Sequence, residues 1–339
     1  MDNALRMQDP KNLVEVRDLV VKFRTDEGIV SAVNSVSYDI PIGQTMGIVG
    51  ESGCGKSVTS NAIMRILPDN GWIQSASIMF NSDLGVFDIA QIPDKDKRLV
   101  QLHGREMAMI FQEPMTSFCP VYTIGNQIDE MTRLHLGLDK KAAKEHTIDL
   151  LRAVKIPSPE QRYHEYPHQL SGGMRQRVMI AMALACDPQM LICDEPTTAL
   201  DVTVQAQILR LIDELKQKNN MSVMIITHDL AVISEVADKV IVMYAGRIVE
   251  ESDEKDIFTN PLHPYTEALL KSIPSNAQRG EKLFMIDGMV PNLLKENKGC
   301  MFAPRCQYAQ PHCFEVEPEL TTVGEGRKVR CYLRAEGGK

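Results

Sequence analysis

The pattern of apolar and polar residues predicts a small antiparallel sheet near the start of the chain. Apolar and polar positions largely alternate over residues 13–23, and short apolar runs follow at 29–33 and 36–40. Alternation of this kind is typical of strands that bury one face. The runs at 45–49, 190–193 and 222–227 are apolar without alternation. They predict strands that are buried on both faces.

Segments with helical periodicity lie between the predicted strands. Val58, Ala62, Ile63, Ile66 and Leu67 have the spacing of one helix face, and residues 123–154, 173–186 and 204–216 are also predicted to be helical. Strands and helices in this order predict an α/β fold with a parallel sheet and crossover helices.

A hairpin and a change in composition mark the end of this pattern. Residues 239–244 and 247–250 predict a terminal hairpin around Ala245-Gly246. Beyond Pro261 the chain is richer in Pro and Cys and loses its periodicity. We therefore expect one domain over residues 1–260, with a helical subdomain at about 113–185, and a C-terminal domain over 261–339.

Composition and charge narrow the class of protein. The chain has 339 residues, 44% of them apolar and 24% charged, which is ordinary for a globular protein. Its net charge of −8 argues against a nucleic-acid partner. No stretch approaches the ~18 consecutive apolar residues of a membrane span, and residues 1–10 lack a secretory pattern. We expect a cytosolic protein that reaches a membrane only through a partner or a surface patch.

A phosphate-binding motif lies between the strand at 45–49 and the helix after it. The octet Gly50-Glu51-Ser52-Gly53-Cys54-Gly55-Lys56-Ser57 fits G-x-x-x-x-G-K-[ST] in the required strand–loop–helix setting. Its glycines let backbone N–H groups surround a polyphosphate, and the helix start adds a positive dipole end. Lys56 is predicted to bind the β and γ phosphates, and Ser57 to bind Mg²⁺. These eight residues and Val58 are predicted to contact the nucleotide.

Two acidic residues end the apolar run at 190–193. Asp194 is predicted to hold Mg²⁺, and Glu195 to orient the attacking water and accept its proton. An acidic pair after a strand is common, and only its combination with the phosphate-binding motif makes it a catalytic candidate.

Ser171-Gly172-Gly173 opens a predicted helix and allows two interpretations. It is either a second anion-binding helix start or a plain serine cap.

The octet Leu170-Ser171-Gly172-Gly173-Met174-Arg175-Gln176-Arg177 resembles the signature motif of ABC ATPases. That resemblance covers the whole chain and implies a P-loop NTPase fold with a RecA-like parallel core, an antiparallel β subdomain and a helical subdomain. It also implies that two ATPase domains close head to tail, so that Ser171, Gly172 and Gly173 face ATP bound by a partner ATPase.

Further positions match motifs of this family. Gln112, in Ile110-Phe111-Gln112-Glu113-Pro114, resembles the glutamine that contacts Mg²⁺ and links to the membrane subunit. The motif Ala199-Leu200-Asp201 resembles the D-loop, and its Asp201 is expected at the nucleotide site. His228 resembles the switch histidine, so the resemblance implies catalytic roles for His228 and Gln112 beside Glu195. Phe23 stands where the family places an aromatic ring on adenine, although a lone Phe in a strand usually belongs to the core.

The C-terminal sequence resembles the ATPases of oligopeptide and dipeptide importers. The matching segments are Leu262-His263-Pro264-Tyr265-Thr266 and the later Cys300 and Pro304-Arg305-Cys306. Residues 112–117 and 291–294 resemble most closely the "D" ATPase of the oligopeptide importers, although Cys119 departs from the usual Asn. The resemblance implies a peripheral position on the cytoplasmic face of the inner membrane, with a related second ATPase, two permeases and an extracytoplasmic peptide-binding protein.

Four cysteines lie close in sequence near the C-terminus, at Cys300, Cys306, Cys313 and Cys331. Their spacing differs from the tight pairs of structural zinc sites and from the ferredoxin run. From the residues alone, Zn²⁺, an iron–sulfur cluster and free thiols all remain open. The family resemblance favours a structural [4Fe–4S] cluster.

Other functions fit the sequence less well. ATPases of the DNA-repair type carry coiled-coil or zinc-bearing insertions between the nucleotide motifs, and residues 58–189 show no sustained heptads. ABC proteins of the translation-factor branch join two ATPase cassettes in one chain, whereas this chain carries one set of the motifs. A nucleotide-sensing module would not need both Glu195 and His228. An importer of nickel or another small solute remains an alternative to a peptide importer.

Overall fold

The computed structural model describes residues 5–112, 117–197, 201–273, 285–294, 298–324 and 326–335. None of the helices in this part of the chain is long and apolar enough to cross a membrane.

The predicted antiparallel sheet is confirmed and has two strands that the pattern did not predict. Its order is β2-β1-β4-β5. The runs at 29–33 and 36–40 belong to one continuous strand, which pairs antiparallel with β1. The strands are β1 Asn12–Thr25, β2 Gly28–Pro41, β4 Gly71–Ser82 and β5 Gly85–Asp88.

The second sheet contains the predicted parallel core. Its order is β11-β12-β10-β9-β3-β8-β7-β6. The strand before the phosphate-binding motif, β3, pairs parallel with both β8 and β9, and β7 pairs parallel with β8 and β6. These strands are β3 Thr45–Val49, β6 Met107–Ile110, β7 Met190–Asp194, β8 Ser222–Thr227, β9 Lys239–Tyr244, β10 Arg247–Asp253, β11 Thr321–Thr322 and β12 Lys328–Val329.

Apolar side chains cover both faces of this parallel core. Ile48 and Ile192 contribute to one buried cluster, and their neighbours Val49 and Cys193 contribute to the other. Successive side chains of a strand point to opposite faces, so a strand between two cores must be apolar at every position. This is why the runs at 45–49, 190–193 and 222–227 do not alternate.

The helices largely follow the periodicity of the sequence. The predicted helical stretch at 123–154 is two helices, because Gly137 ends the first with φ 69° and Asp139 caps the second through two backbone N–H groups. The helix after the phosphate-binding motif ends at Ile63, before Ile66 and Leu67, and Arg65 has left-handed backbone with φ 52°. The described α-helices are α1 Lys56–Ile63, α2 Lys97–Leu102, α3 Ile124–Leu136, α4 Lys140–Ala153, α5 Pro159–Arg162, α6 Gly172–Ala183, α7 Val202–Asn219, α8 Leu230–Val236, α9 Glu254–Thr259, α10 Pro264–Lys271 and α11 Tyr332–Ala335.

The sheet continues beyond the predicted boundary near residue 260. Strand β12 pairs antiparallel with β10, and β11 pairs with β12. The C-terminal residues therefore extend the edge of the sheet that carries the phosphate-binding motif. The division into two domains at residue 260 stays a prediction.

Candidate active site

The phosphate-binding loop, residues 50–55, joins β3 to α1 and depends on its glycines. Gly50, Gly53 and Gly55 have φ of 151°, 79° and 101°. A Cβ on Gly50 would lie 2.2 Å from the carbonyl oxygen of Met243, and one on Gly55 would lie 2.5 Å from that of Ala32. Larger residues therefore could not hold this loop in place.

The start of α1 is open to an anion. Gly55 precedes the helix and has no side chain that could cap its N-terminal N–H groups. The Lys56 side chain is buried, and its Nζ donates to the carbonyl oxygens of Gly50 and Glu51 at 2.8 and 3.0 Å. The loop therefore surrounds a positive charge, as a polyphosphate site requires. The Cys54 thiol lies beneath the loop, and its burial raises its pKa.

Two predicted magnesium ligands meet where β7 ends and α1 begins. The Ser57 hydroxyl donates to Oδ1 of Asp194 at 2.9 Å, across 137 residues of sequence. Asp194 is 8% exposed, and burial raises the pKa of its carboxyl group. Hydroxyl and carboxylate oxygens are ligands that Mg²⁺ prefers, so the pair fits the predicted metal.

The three predicted catalytic side chains come together after three different strands. Oε2 of Glu195 accepts from Nε2 of Gln112 at 3.0 Å, and its Oε1 lies 3.1 Å from Nδ1 of His228. A carboxylate only accepts hydrogen bonds, so this contact places a proton on Nδ1. Glu195 follows β7 with left-handed backbone, φ 47°, and its N–H donates to the carbonyl oxygen of Ile226. Non-glycine residues in this region are strained, which is common at functional sites.

The signature segment forms a capped helix start. Oγ of Ser171 accepts from the N–H of Met174 at 3.4 Å, so Ser171 caps this helix. Ser171 and Gly172 are exposed, and a Cβ on Gly172 would meet no atom of the described residues within 4 Å. This end of α6 is therefore accessible to a partner, and contact with a partner's ATP stays a prediction.

The predicted D-loop is described only at its last residue. Asp201 caps α7 by accepting from the N–H of Val204 at 3.0 Å. Residues 199 and 200 of that motif lie outside the described residues. So do residues 113–116, which follow Gln112.

Phe23 lies in a packed position. Its ring covers Gly71, where a Cβ would lie 2.5 Å from its Cε1, and it joins the apolar cluster of the antiparallel sheet. These contacts give the ring a packing role, and its stacking on adenine stays a prediction.

Two contacts at the site were not predicted. Gln176 of α6 is buried and donates to the carbonyl oxygen of Pro196 at 2.6 Å, which links the signature helix to the residue after Glu195. The Tyr265 hydroxyl accepts from the N–H of Glu51 at 2.8 Å, across 214 residues. A glutamine within an otherwise apolar helix face could have drawn attention to Gln176. No local pattern marks Tyr265.

The four C-terminal cysteines line one cavity together with Phe302 and Tyr332. All four are free thiols, and burial raises the pKa of Cys300 to about 11 and also raises those of Cys306 and Cys331. Within the described residues, no group of three or more His, Cys, Asp or Glu side chains is arranged to hold a metal ion. Four thiols are suitable ligands for a thiolate-bound metal group. The positions of these side chains in the described residues, however, do not match the geometry of a metal-ion site.

Comparison with known proteins agrees with these motifs. Residues 33–198 match the family model described as ABC transporter, and residues 249–313 match that of the oligopeptide/dipeptide transporter C-terminal region. The fold is shared with solved ABC cassettes. The dimeric bacterial cassette MJ0796 has a TM-score of 0.62 at 23% identity, over 71% of this chain and 98% of that one.

Curated relatives cover almost the whole chain. The dipeptide transport ATP-binding protein DppD of Haemophilus influenzae is 51% identical over 320 residues, 94% of this chain and 95% of that protein. DppD of Escherichia coli is 49% identical over 94% of this chain and 96% of its own length. The oligopeptide transport ATP-binding protein OppD of Haemophilus influenzae is 46% identical, over 96% and 98%. The chain therefore belongs to the ABC transporter ATPases, and within them to the family of dipeptide and oligopeptide transport ATP-binding proteins.

Proposed function

We propose that this chain is the ATP-hydrolysing subunit of an importer that carries peptides across the cytoplasmic membrane. The observation that carries the proposal is the contact of Gln112 and His228 with the two oxygens of Glu195, beside the Ser57–Asp194 pair. The DppD and OppD relatives supply the substrate class, since they are named for dipeptide and oligopeptide transport.

The loop and its flanking side chains bind the nucleotide. Backbone N–H groups of residues 50–55 and the Lys56 ammonium bind the phosphates of ATP. Ser57, Asp194 and Gln112 hold Mg²⁺, which neutralises charge on the β and γ phosphates when it is bound. The amide of Gln112 suits a double role, because its Nε2 donates to Glu195 and leaves Oε1 as an acceptor for a cation.

Glu195 acts as the base for hydrolysis. Its carboxylate orients a water molecule and accepts a proton as the water oxygen bonds to the γ phosphorus. The bond from that phosphorus to the β–γ bridging oxygen breaks, and the products are ADP and inorganic phosphate. Gln112 and His228 fix the carboxylate by holding one oxygen each.

A second ATPase completes the site. Ser171, Gly172 and Gly173 of each subunit face the γ phosphate bound by the other, and Asp201 lies at the same contact. Charge stabilisation supplied in trans explains why hydrolysis requires the closed pair. We propose a heterodimer with a related ATPase, docked peripherally on the cytoplasmic side of two permeases that receive peptide from a binding protein.

The C-terminal cysteines hold a structural metal group in this proposal. Four thiols around one cavity, with the Arg330 cation close to Cys300, suit a dianionic thiolate cluster. A [4Fe–4S] cluster is preferred because of the family resemblance of the C-terminal sequence, with Zn²⁺ as the alternative.

The proposed function predicts that turnover depends on assembly. The isolated chain should bind Mg·ATP but hydrolyse it at least about tenfold more slowly than the complex, because half of the transition-state charge stabilisation is missing. Steady-state phosphate release, measured with and without the permeases and partner ATPase, tests this. Lys56→Ala should abolish binding in both preparations.

Two outcomes would contradict the proposal. One is full-rate hydrolysis by the lone monomer. The other is stimulation of the complete transporter by Ni²⁺ or another small solute rather than by di- or oligopeptides, which would support the alternative cargo.

A further inference from the structure

Arg305, which lies between Cys300 and Cys306, forms an ion pair with the phosphate-binding loop. Nη1 of Arg305 lies 2.7 Å from Oε2 of Glu51, and its Nη2 lies 2.9 Å from Oε1. The pair is bidentate, the geometry that makes arginine–carboxylate contacts strong and directional. The Arg305 side chain is 4% exposed and that of Glu51 is 27% exposed, so solvent screens this pair less than it screens a surface pair.

Other contacts fix the guanidinium in place. Its Nε donates to the carbonyl oxygen of Asp287 at 3.0 Å, and Nη2 donates to that of Ile286 at 3.2 Å. Nη1 also donates to the Tyr244 hydroxyl at 3.3 Å. Arg305 therefore has little freedom to leave Glu51.

The same loop residue is held from a second direction. The N–H of Glu51 donates to the Tyr265 hydroxyl at 2.8 Å. The Tyr265 ring packs against Tyr244 and Phe302, with ring centroids 4.6 and 5.3 Å away. Phe302 and Arg305 belong to the short stretch between Cys300 and Cys306, so the loop rests on the cysteine segment through both an ion pair and an aromatic cluster.

The charge of Glu51 explains why this contact matters for ATP. Glu51 lies within a loop whose backbone receives a polyanion, and an unpaired carboxylate there would repel the phosphates. Arg305 neutralises that carboxylate and holds it on the side of the loop that faces the cysteine segment.

We propose that Arg305 is a positioning residue for ATP binding: through Glu51 it holds the phosphate-binding loop in its ligand-ready shape and removes the loop's unfavourable charge. This makes nucleotide affinity depend on the packing of the segment from Cys300 to Cys306. The inference rests on the proposed use of residues 50–57 for ATP.

Arg305→Met tests the proposal, since it keeps side-chain length and removes the charge. We expect the Kd for Mg·ATP to rise about tenfold, within the usual range of coupling between sites. At saturating ATP, kcat of the assembled transporter should stay within about twofold of wild type, because Arg305 touches none of the groups assigned to hydrolysis. Adding Glu51→Gln to Arg305→Met should recover much of the lost affinity, because the unpaired carboxylate is gone.

A matched control separates this role from general packing. Arg327 also joins the C-terminal region to the sheet, through the carbonyl oxygen of Asn260 and ion pairs with Glu250 and Asp256. Arg327→Met should leave the Kd for ATP unchanged.

Hydrogen exchange separates failure of this inference from failure of the proposed function. Without nucleotide, Arg305→Met should speed exchange of the backbone amides at residues 50–55, and Arg327→Met should not. This readout does not require that ATP binds. Unchanged exchange together with an unchanged Kd would overturn the proposal, as would equal effects of the two arginine variants or no recovery on adding Glu51→Gln.

Discussion

At the residue scale, the site is organised around one carboxylate. The two oxygens of Glu195 contact Gln112 and His228, and the residue has a left-handed backbone. Such strain persists where surrounding contacts over-determine the conformation. Here the N–H of Glu195 is also held by the carbonyl oxygen of Ile226. The arrangement fixes the proposed base beside the Ser57–Asp194 pair, and Gln112 belongs both to this arrangement and to the proposed magnesium site.

Glu195→Gln is therefore expected to keep ATP binding and lose hydrolysis. The amide preserves side-chain size and one of the two acceptor oxygens but accepts no proton, and loss of a general base typically costs ~10²–10⁴-fold in rate. Equilibrium ATP binding and phosphate release by the assembled complex measure the two effects. Glu235→Gln, at an exposed position of α8, is the matched control and should change neither. Normal turnover by the Glu195 variant would remove this residue from the catalytic role.

At the scale of elements, two helices near the site differ in how the unpaired backbone N–H groups of their first turn are satisfied. Helix α1 begins after Gly55, which has no side chain to act as a cap, and its N-terminus is the proposed phosphate site. Helix α10 is instead capped internally, because Nδ1 of His263 accepts from the N–H of Tyr265 at 3.0 Å. That cap orders the start of the helix whose Tyr265 supports the phosphate-binding loop.

The buried cap makes stability depend on pH. Burial, with a smaller effect from the nearby Arg330 cation, lowers the pKa of His263 from 6.5 to about 3. The unfolded chain therefore binds a proton as the pH falls through 6.5 while the folded chain does not. The contribution of His263 to the free energy of unfolding is therefore fully present above pH 6.5. It decreases as the pH falls toward 3, by up to ~1.4 kcal/mol per pH unit.

His263→Asn should weaken this dependence, since asparagine also caps helices but does not titrate. Urea unfolding at pH 7, 6 and 5 gives the free energy of unfolding for each variant. We expect the wild type to lose more stability than His263→Asn at each step. His168→Asn, at an exposed position, should keep the wild-type slope. Parallel pH profiles for wild type and His263→Asn would contradict the assignment.

At the scale of the whole molecule, the C-terminal residues pack against the main sheet and against the loop of the proposed nucleotide site. They extend the main sheet through β12 and contact the phosphate-binding loop through Tyr265 and Arg305. A short segment with few apolar residues gains stability from a bound metal. The proposed cluster at the cysteine cavity would therefore stabilise the same segment that supports the loop.

The cluster proposal predicts iron and sulfide in protein purified without oxygen. A [4Fe–4S] group requires four of each per chain, with visible absorbance that reduction bleaches. Cys306→Ser should lose most of the iron, whereas Cys119→Ser, at an exposed position outside the cavity, should retain it. Elemental analysis and absorbance spectra measure both. Stoichiometric zinc in a colourless protein would favour the alternative metal. Protein without any metal would contradict both metal proposals and support free thiols.

The sequence alone was sufficient for the features that local chemistry determines. The glycine spacing of residues 50–57 follows from the backbone that a phosphate loop needs, and unbroken apolar runs predict strands buried on both faces. The C-terminal segments are sufficient to indicate the family of dipeptide and oligopeptide transport ATPases without the fold. Comparison with DppD and OppD confirmed that family. Strand β4 was not predicted, because residues 71–82 lack a regular alternation.

The tertiary structure decided which distant side chains meet. Ser57 and Asp194 are 137 residues apart, and Glu51 and Arg305 are 254 apart. Strand order brings the first pair together, and packing of the C-terminal segment on β9 and β10 brings the second. A contact between distant residues has no local pattern, because its energy comes from the geometry of the assembled sheet. For that reason the chemistry of the loop could be predicted from the sequence, whereas its support by Arg305 became visible only in the fold.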